Sequence, residues 1–412
     1  MIFYLLLHAL TSIFFVECDT HEIKIEATEH ESVKENMEHR KINTSFTTII
    51  GQRYTFNKTK KGVSYLGIPF AKPPIGDRRF RPPEELEQSD WNDTFYALTS
   101  ARSCAADIYE SNFTGYSFWN PTNEVSEDCL QLNMWVPSKK DKVNDKKHCV
   151  IVYIYGGAFF SGSASLDVYN GSILAVISRC IVVNLNYRLG VLGFAFLNDG
   201  KTISGNMGLL DQQMGMKWVY ENIEYFGGNK SNITIFGESA GSVSVISHLY
   251  ANESHQYFKR IIANSGTVQN VWGRASNNYA HNKTLRFAKK LNCVKNFTSD
   301  KNYTKILLWL GCVKNFTQNP DYEKILYCLQ HNVTTKNITD IGGGIQNNST
   351  RVFEFVFEPI ENDTVFFKGN LSEKIYKNEL KRDVDIFIGK TSDEFTYFMP
   401  YYFYGSGRWN SK

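Results

Sequence analysis

Four near-continuous apolar runs, residues 150–155, 181–185, 233–236 and 384–388, lack the strict alternation of a half-exposed strand and are predicted to be buried parallel strands. Between them lie segments with helical spacing, such as 209–222. Strands alternating with helices predict an α/β chain with a doubly wound, mostly parallel central sheet and helices on both faces. No break in composition divides residues 46–412, which are expected to form one domain. Residues 1–16 are almost uninterruptedly apolar and too short to span a bilayer with ease, so residues 1–18 are read as a signal peptide. Residues 19–45 are charged and without periodicity, and a flexible N-terminal extension is expected there. Residues 293–298, Cys-Val-Lys-Asn-Phe-Thr, recur at 312–317, and two copies fit a local insertion rather than a solenoid.

Composition narrows the function classes. The 412 residues, 42% hydrophobic and 14% aromatic, suffice for one large core. A net charge of +3 gives no footprint for nucleic acid. Eighteen Asn-x-Ser/Thr sequons, from Asn43 to Asn370, support export and a glycosylated, secreted or cell-surface protein. Asn232 is expected to be too close to the strand at 233–236 for use. Eight cysteines become seven once Cys18 leaves with the signal, an odd number that leaves one thiol free or intermolecular. Cys149 and Cys180 open apolar runs and are expected to be buried, inert thiols.

Chemistry concentrates where the run 233–236 breaks. Gly237-Glu238-Ser239-Ala240-Gly241 follows a strand and precedes a helical pattern, the context of a nucleophile elbow. A serine at the tip of so sharp a turn has a strained backbone, which small neighbours permit. Ser239 is therefore the candidate nucleophile. The run 150–155 ends in Gly156-Gly157-Ala158-Phe159, where small residues let amides converge. Gly157, Ala158 and Ala240 are the candidate oxyanion donors.

These stretches, with Tyr65–Pro74, Ser126–Leu130, Leu132–Pro137, Asn206–Gln212 and Phe226–Asn229, resemble the carboxylesterase/cholinesterase family over most of residues 45–404. The resemblance implies an α/β-hydrolase fold, a Ser-Glu-His triad and an ester substrate, with no cofactor and no metal. The acetylcholinesterase branch is the nearer. By that resemblance Trp119 holds a choline cation through its indole face, an attraction of about 0.5–2 kcal/mol, and Glu238 supports the same cation. Phe353 and Phe355, with Trp272, correspond to the acyl pocket, and Tyr397, Phe398 and Tyr401 to an aromatic wall. Glu394, in the stretch Ile388–Glu394 after the fourth run, corresponds to the triad acid. Two positions depart from the pattern. The rim tryptophan has no counterpart among Gly342–Gln346, and Phe160 stands where tyrosine is expected; Asp107 or Glu110 is the candidate rim acid. A disulfide Cys104–Cys129 is expected, closing the loop that carries Trp119. A second is expected among Cys293, Cys312 and Cys328, with Cys312–Cys328 favoured.

The general base is missing from this pattern. None of the nine histidines has the context of the family's triad histidine, which lies roughly a hundred residues beyond the acid, and the sequence runs only 18 residues past Glu394. Two readings are carried forward. In the first, the chain is an incomplete copy of a secreted hydrolase acting on a small-molecule ester such as a choline ester. In the second, it is a non-catalytic choline-ester binder or a neuroligin-like adhesion protein. The run 384–388 is also expected to lack a sheet neighbour and to expose an edge. Membrane attachment and oligomeric state stay open.

Overall fold

The computed structural model describes residues 39–56, 60–108, 117–138, 147–294, 321–347 and 357–397. Its organising element is a ten-stranded sheet. In chain order the strands are β1 (His39–Asn43), β2 (Thr48–Phe56), β3 (Lys60–Pro69), β4 (Thr94–Tyr96), β5 (Gln131–Pro137), β6 (His148–Ile154), β7 (Ile181–Leu185), β8 (Gly228–Glu238), β9 (Arg260–Asn264) and β10 (Asp385–Gly389). They lie side by side as β1-β2-β3-β5-β7-β6-β8-β9-β10, with β4 added in parallel to β2. Strands β1, β2, β3, β5 and β7 pair antiparallel, and β7, β6, β8, β9 and β10 pair parallel. The half predicted from the apolar runs is thus the parallel half, and it carries the candidate site.

The helices follow the connections of that half. They are α1 (Ser172–Ser178), α2 (Gly190–Phe194), α3 (Met207–Asn222), α4 (Ala240–Leu249), α5 (Asn277–Lys290), α6 (Tyr322–His331), α7 (Thr335–Asn347) and α8 (Leu371–Tyr376). A parallel neighbour needs a crossover, and α1 supplies it between β6 and β7, α2 and α3 between β7 and β8, and α4 between β8 and β9. Strand β7 keeps the expected bounds and is buried throughout. With this topology the chain has the α/β-hydrolase architecture.

Two buried ion pairs fix the loops around this framework. Arg188 meets Asp211 of α3 through Nε at 2.8 Å and Nη2 at 2.7 Å, while its Nη1 donates to the Arg81 carbonyl at 2.7 Å. Arg79 grips Glu127 through Nε and Nη2 at 2.7 and 2.6 Å, and its Nη1 donates to the carbonyls of Leu329, Gln330 and Val333 at the end of α6. Removing either partner would strand a buried charge, a loss of about 3–5 kcal/mol.

Several expectations are corrected. The fourth apolar run is not a buried strand: β10 has β9 on one side only among the described residues, and Ile386 and Ile388 are 48% and 62% exposed. Within the stretch 19–45, His39–Asn43 forms β1, antiparallel to β2 from His39 opposite Gln52 to Asn43 opposite Thr48; residues 1–38 lie outside the described set. Cys149 and Cys180 are not thiols but a disulfide, because β6 and β7 run parallel with Val150 opposite Ile181, which sets the preceding residues side by side. Cys328 bonds Cys293 rather than Cys312, tying α6 to the end of α5; Cys312 is outside the described residues. Cys104 and Cys129 are bonded. Asn232 lies within β8 with its side-chain oxygen on Arg260.

Candidate active site

Strand β8 ends at Glu238 and α4 begins at Ala240, which leaves Ser239 alone at the turn with φ 56° and ψ −122°. Few side-chain-bearing residues adopt that conformation. The flanking glycines have a packing reason. A Cβ on Gly237 would sit 2.2 Å from the Gly241 carbonyl oxygen, and one on Gly241 would sit 2.0 Å from that of Ile154 in β6. The turn is further held by the Ser239 amide, which donates to the Asn264 carbonyl at 2.9 Å, and by the Val243 amide, which donates to the Ser239 carbonyl at 3.0 Å. Every residue of α4 is buried. Local sequence, neighbouring strands and helix burial together over-determine the strained residue.

The glycine loop after β6 lies against this turn. A Cβ on Gly156 would fall 2.6 Å from the Glu238 carbonyl and 3.1 Å from the Ser239 Cβ. Gly157, Ala158 and Phe159 follow with φ of 118°, 52° and 63°, three successive positive values. Gly157 also closes a tight turn, accepting at its carbonyl from the amides of Phe160 and Ser161 at 3.1 and 3.0 Å. Peptide groups in such turns make anion-binding concavities.

Glu394 opens the short helical turn after β10. Its Oε1 accepts from Ser265 Oγ at 2.6 Å and from the Thr391 amide at 2.7 Å, which leaves the other oxygen for a further donor. Ser265 itself has φ 58°, and its amide donates to the Gly389 carbonyl at 2.8 Å. The sequence reading missed Ser265; the signal was a serine directly after a strand, one residue before a glycine. Gly266 was missed as well: a Cβ there would lie 2.4 Å from the Ser239 carbonyl and 3.1 Å from the Trp272 ring. That contact brings Trp272 beside the elbow.

Burial first, and then the negative charge of Glu394, push the Glu238 carboxyl up to about 7. Tyr153 and Tyr169 are buried next to Glu238 with ring centroids 5.0 Å apart, and desolvation raises both phenols far above their ordinary range. Trp119 stands 6.5 Å from the Tyr169 ring and 5.1 Å from that of Phe118. It lines a cleft with Cys104, Asp107 and Gly162. A second cleft lies beside it, lined by Asp107, Phe160 and Phe357, and Ser239 lines neither. Phe353, Phe355, Phe398 and Tyr401 lie outside the described residues, as does the Tyr397 side chain, so the acyl pocket and aromatic wall are not part of this geometry.

The histidines are engaged elsewhere. His248, buried on α4, bonds Ser254 Oγ at 2.8 Å and Gln212 Oε1 at 3.2 Å, and burial lowers its pKa to about 3. His255 bonds the Leu249 carbonyl, His281 the Asn198 amide, and His331 the Asp77 carboxylate. Among the described residues no group of three or more His, Cys, Asp or Glu is placed to hold a metal.

This constellation can be set against known proteins. Acetylcholinesterase 4 of Caenorhabditis briggsae is 35% identical over 364 residues, 87% of this chain and 54% of that protein. Acetylcholinesterase of Electrophorus electricus is 40% identical over 266 residues, 64% of this chain and 41% of its own length. Cholinesterase of Mus musculus is 45% identical over 234 residues, 56% of this chain and 38% of its own. The chain thus spans about half, or less, of the curated relatives it matches. The carboxylesterase family profile covers residues 38–409, and the chain belongs to that family.

Proposed function

We propose that the chain carries the nucleophile, the oxyanion amides and the triad acid of a secreted or cell-surface serine ester hydrolase acting on choline or related carboxylic esters. The observation that carries this reading is Ser239, held at φ 56° between β8 and α4 with Gly156 packed against it. Ser239 Oγ attacks the ester carbonyl and forms an acyl-serine, the alcohol leaves, and water later releases the acid. The amides of Gly157, Ala158 and Ala240 receive the oxyanion, an interaction whose individual donors are worth about 3–4 kcal/mol in such sites. Glu394, already positioned by Ser265 and Thr391, orients an imidazole through its remaining oxygen. Trp119 and Glu238 select a cationic alcohol portion.

The step without a described participant is proton removal from Ser239. A serine hydroxyl is a poor nucleophile until a base takes its proton, and the bonded state of His248, His255, His281 and His331 speaks against each of them. That observation favours a second reading, a choline-ester binder that does not turn over. A fluorophosphonate probe separates the two. It would be applied to the 412-residue chain, to its Ser239→Ala variant, and to a chimera continued with the C-terminal remainder of the Danio rerio acetylcholinesterase, which is 35% identical over 362 residues. We expect weak labelling of the chain, strong labelling of the chimera and none after Ser239→Ala. A folded chimera that stays unlabelled sinks the hydrolase reading.

A further inference from the structure

Glycine is the poorest helix former after proline, yet Gly342, Gly343 and Gly344 stand consecutively inside α7. Their surroundings differ. Gly342 lies on the face that buries Ile338 and Ile345, and a Cβ there would sit 3.4 Å from Val191 Cγ1 of α2, an ordinary contact. A Cβ on Gly344 would meet nothing within 4 Å. On Gly343, however, it would fall 1.8 Å from Asp107 Oδ2, 2.2 Å from Cγ and 2.7 Å from Cβ. Because the overlap includes the Asp107 Cβ, no rotation of the carboxylate relieves it; helix or loop would have to move.

Asp107 and Gly343 line the same cleft, whose walls are otherwise apolar and include Phe160, Val191, Ile338 and Phe357. An acid among aromatic and aliphatic walls is the kind of site that takes an organic cation. The space left is about 30 Å³, room for a couple of waters and far less than such a cation needs. From α7 the groups near Asp107 are Asp340 and Lys336, themselves paired at 2.7 Å.

We infer that Gly343 seats α7 directly on Asp107 and thereby holds this cleft shut to organic cations, in the place where a large side chain on the helix would keep the two apart. The inference does not rest on the esterase reading, since Ser239 lines no part of the cleft. It is tested by fluorescence titration of the 412-residue chain with ethidium, an aromatic cation, at low ionic strength. The native chain and Gly344→Ala should bind equally weakly, whereas Gly343→Ala, which levers α7 away, should bind at least about tenfold tighter, and adding Asp107→Asn should cancel the gain. Thermal unfolding gives a second readout: Gly344→Ala should raise Tm by about 2 °C, Gly343→Ala should lower it, and Asp107→Gly should restore the latter. Equal Tm and equal affinity for the two alanine variants, or a tightening that survives Asp107→Asn, overturns the inference. If Gly343→Ala alone does not fold, rescue by Asp107→Gly supports the contact, and failure of that rescue refutes it.

Discussion

Ser239 occupies φ 56°, ψ −122°, close to the mirror image of polyproline II geometry, so glycine alone adopts it without cost. Ser239→Gly should therefore raise stability by about 1 kcal/mol in urea unfolding, whereas Ser239→Ala, equally strained, should change it little. Gly241→Ala should do the opposite. With the Ile154 carbonyl 2.0 Å from the added methyl, a loss of at least about 2 kcal/mol is expected. An unchanged midpoint for Ser239→Gly would mean that the turn stores no strain. Glu238, one residue away, makes a pH-dependent contribution. Its folded-state pKa of about 7 lies above the ordinary 4.5, so the stability it contributes is complete below pH 4.5 and is lost as pH rises through 7. Glu238→Gln should accordingly exceed the native chain in stability above pH 7, by up to about 3 kcal/mol, and match it near pH 4. A constant difference across that range would show that the carboxyl titrates normally.

At the scale of elements, α4 ties the elbow to the core through His248, whose neutral ring fills hydrogen bonds from two directions. Its folded pKa of about 3 lies below the ordinary 6.5, so protonation favours the unfolded chain: this contribution is complete above pH 6.5 and is lost as pH falls toward 3. The slope from this residue alone approaches about 1.4 kcal/mol per pH unit, and His248→Gln should flatten the acid limb of the unfolding profile. If that limb is unchanged, other groups control acid unfolding. Elements of this parallel core were legible because continuous apolar runs have few other uses: β7 appears with its expected bounds, and α3 begins within two residues of 209. Other features were not. Strand β8 extends back to Gly228 through polar Asn229–Asn232, whose pairing is irregular and carries no apolar signal. Strand β10 reads as buried because its residues are apolar, but burial is set by neighbours, and Ile388 has too few of them. Ser265 was invisible for a related reason, since its partner Glu394 lies 129 residues away.

For the molecule as a whole, the three disulfides among the described residues constrain different things. Cys104–Cys129 closes the loop bearing Trp119, Cys293–Cys328 anchors α6, and Cys149–Cys180 joins the starts of two strands that already pair. The last could not be inferred from apolar flanks alone, because two cysteines 31 residues apart meet only once β6 and β7 are known to be parallel neighbours in that register. Its closed loop sets an upper limit of about 3–4 kcal/mol in the chain-entropy model. The measured loss for Cys149→Ala with Cys180→Ala should fall below that limit, since the sheet already holds the strands together. The bridge lies at the starts of β6 and β7, and the Gly156 loop follows the far end of β6, so fluorophosphonate reactivity of Ser239 in the completed chimera should survive this change. Cys104→Ala with Cys129→Ala should instead weaken discrimination between a choline ester and a neutral ester of similar size, as Trp119→Ala should, because both disturb only the indole that the cation uses. Peptide mapping without reduction should recover Cys149–Cys180 and Cys293–Cys328 from secreted protein. Recovery of alkylated Cys149 and Cys180 from folded, secreted chain would reinstate the buried thiols and remove the parallel-register argument for this bridge.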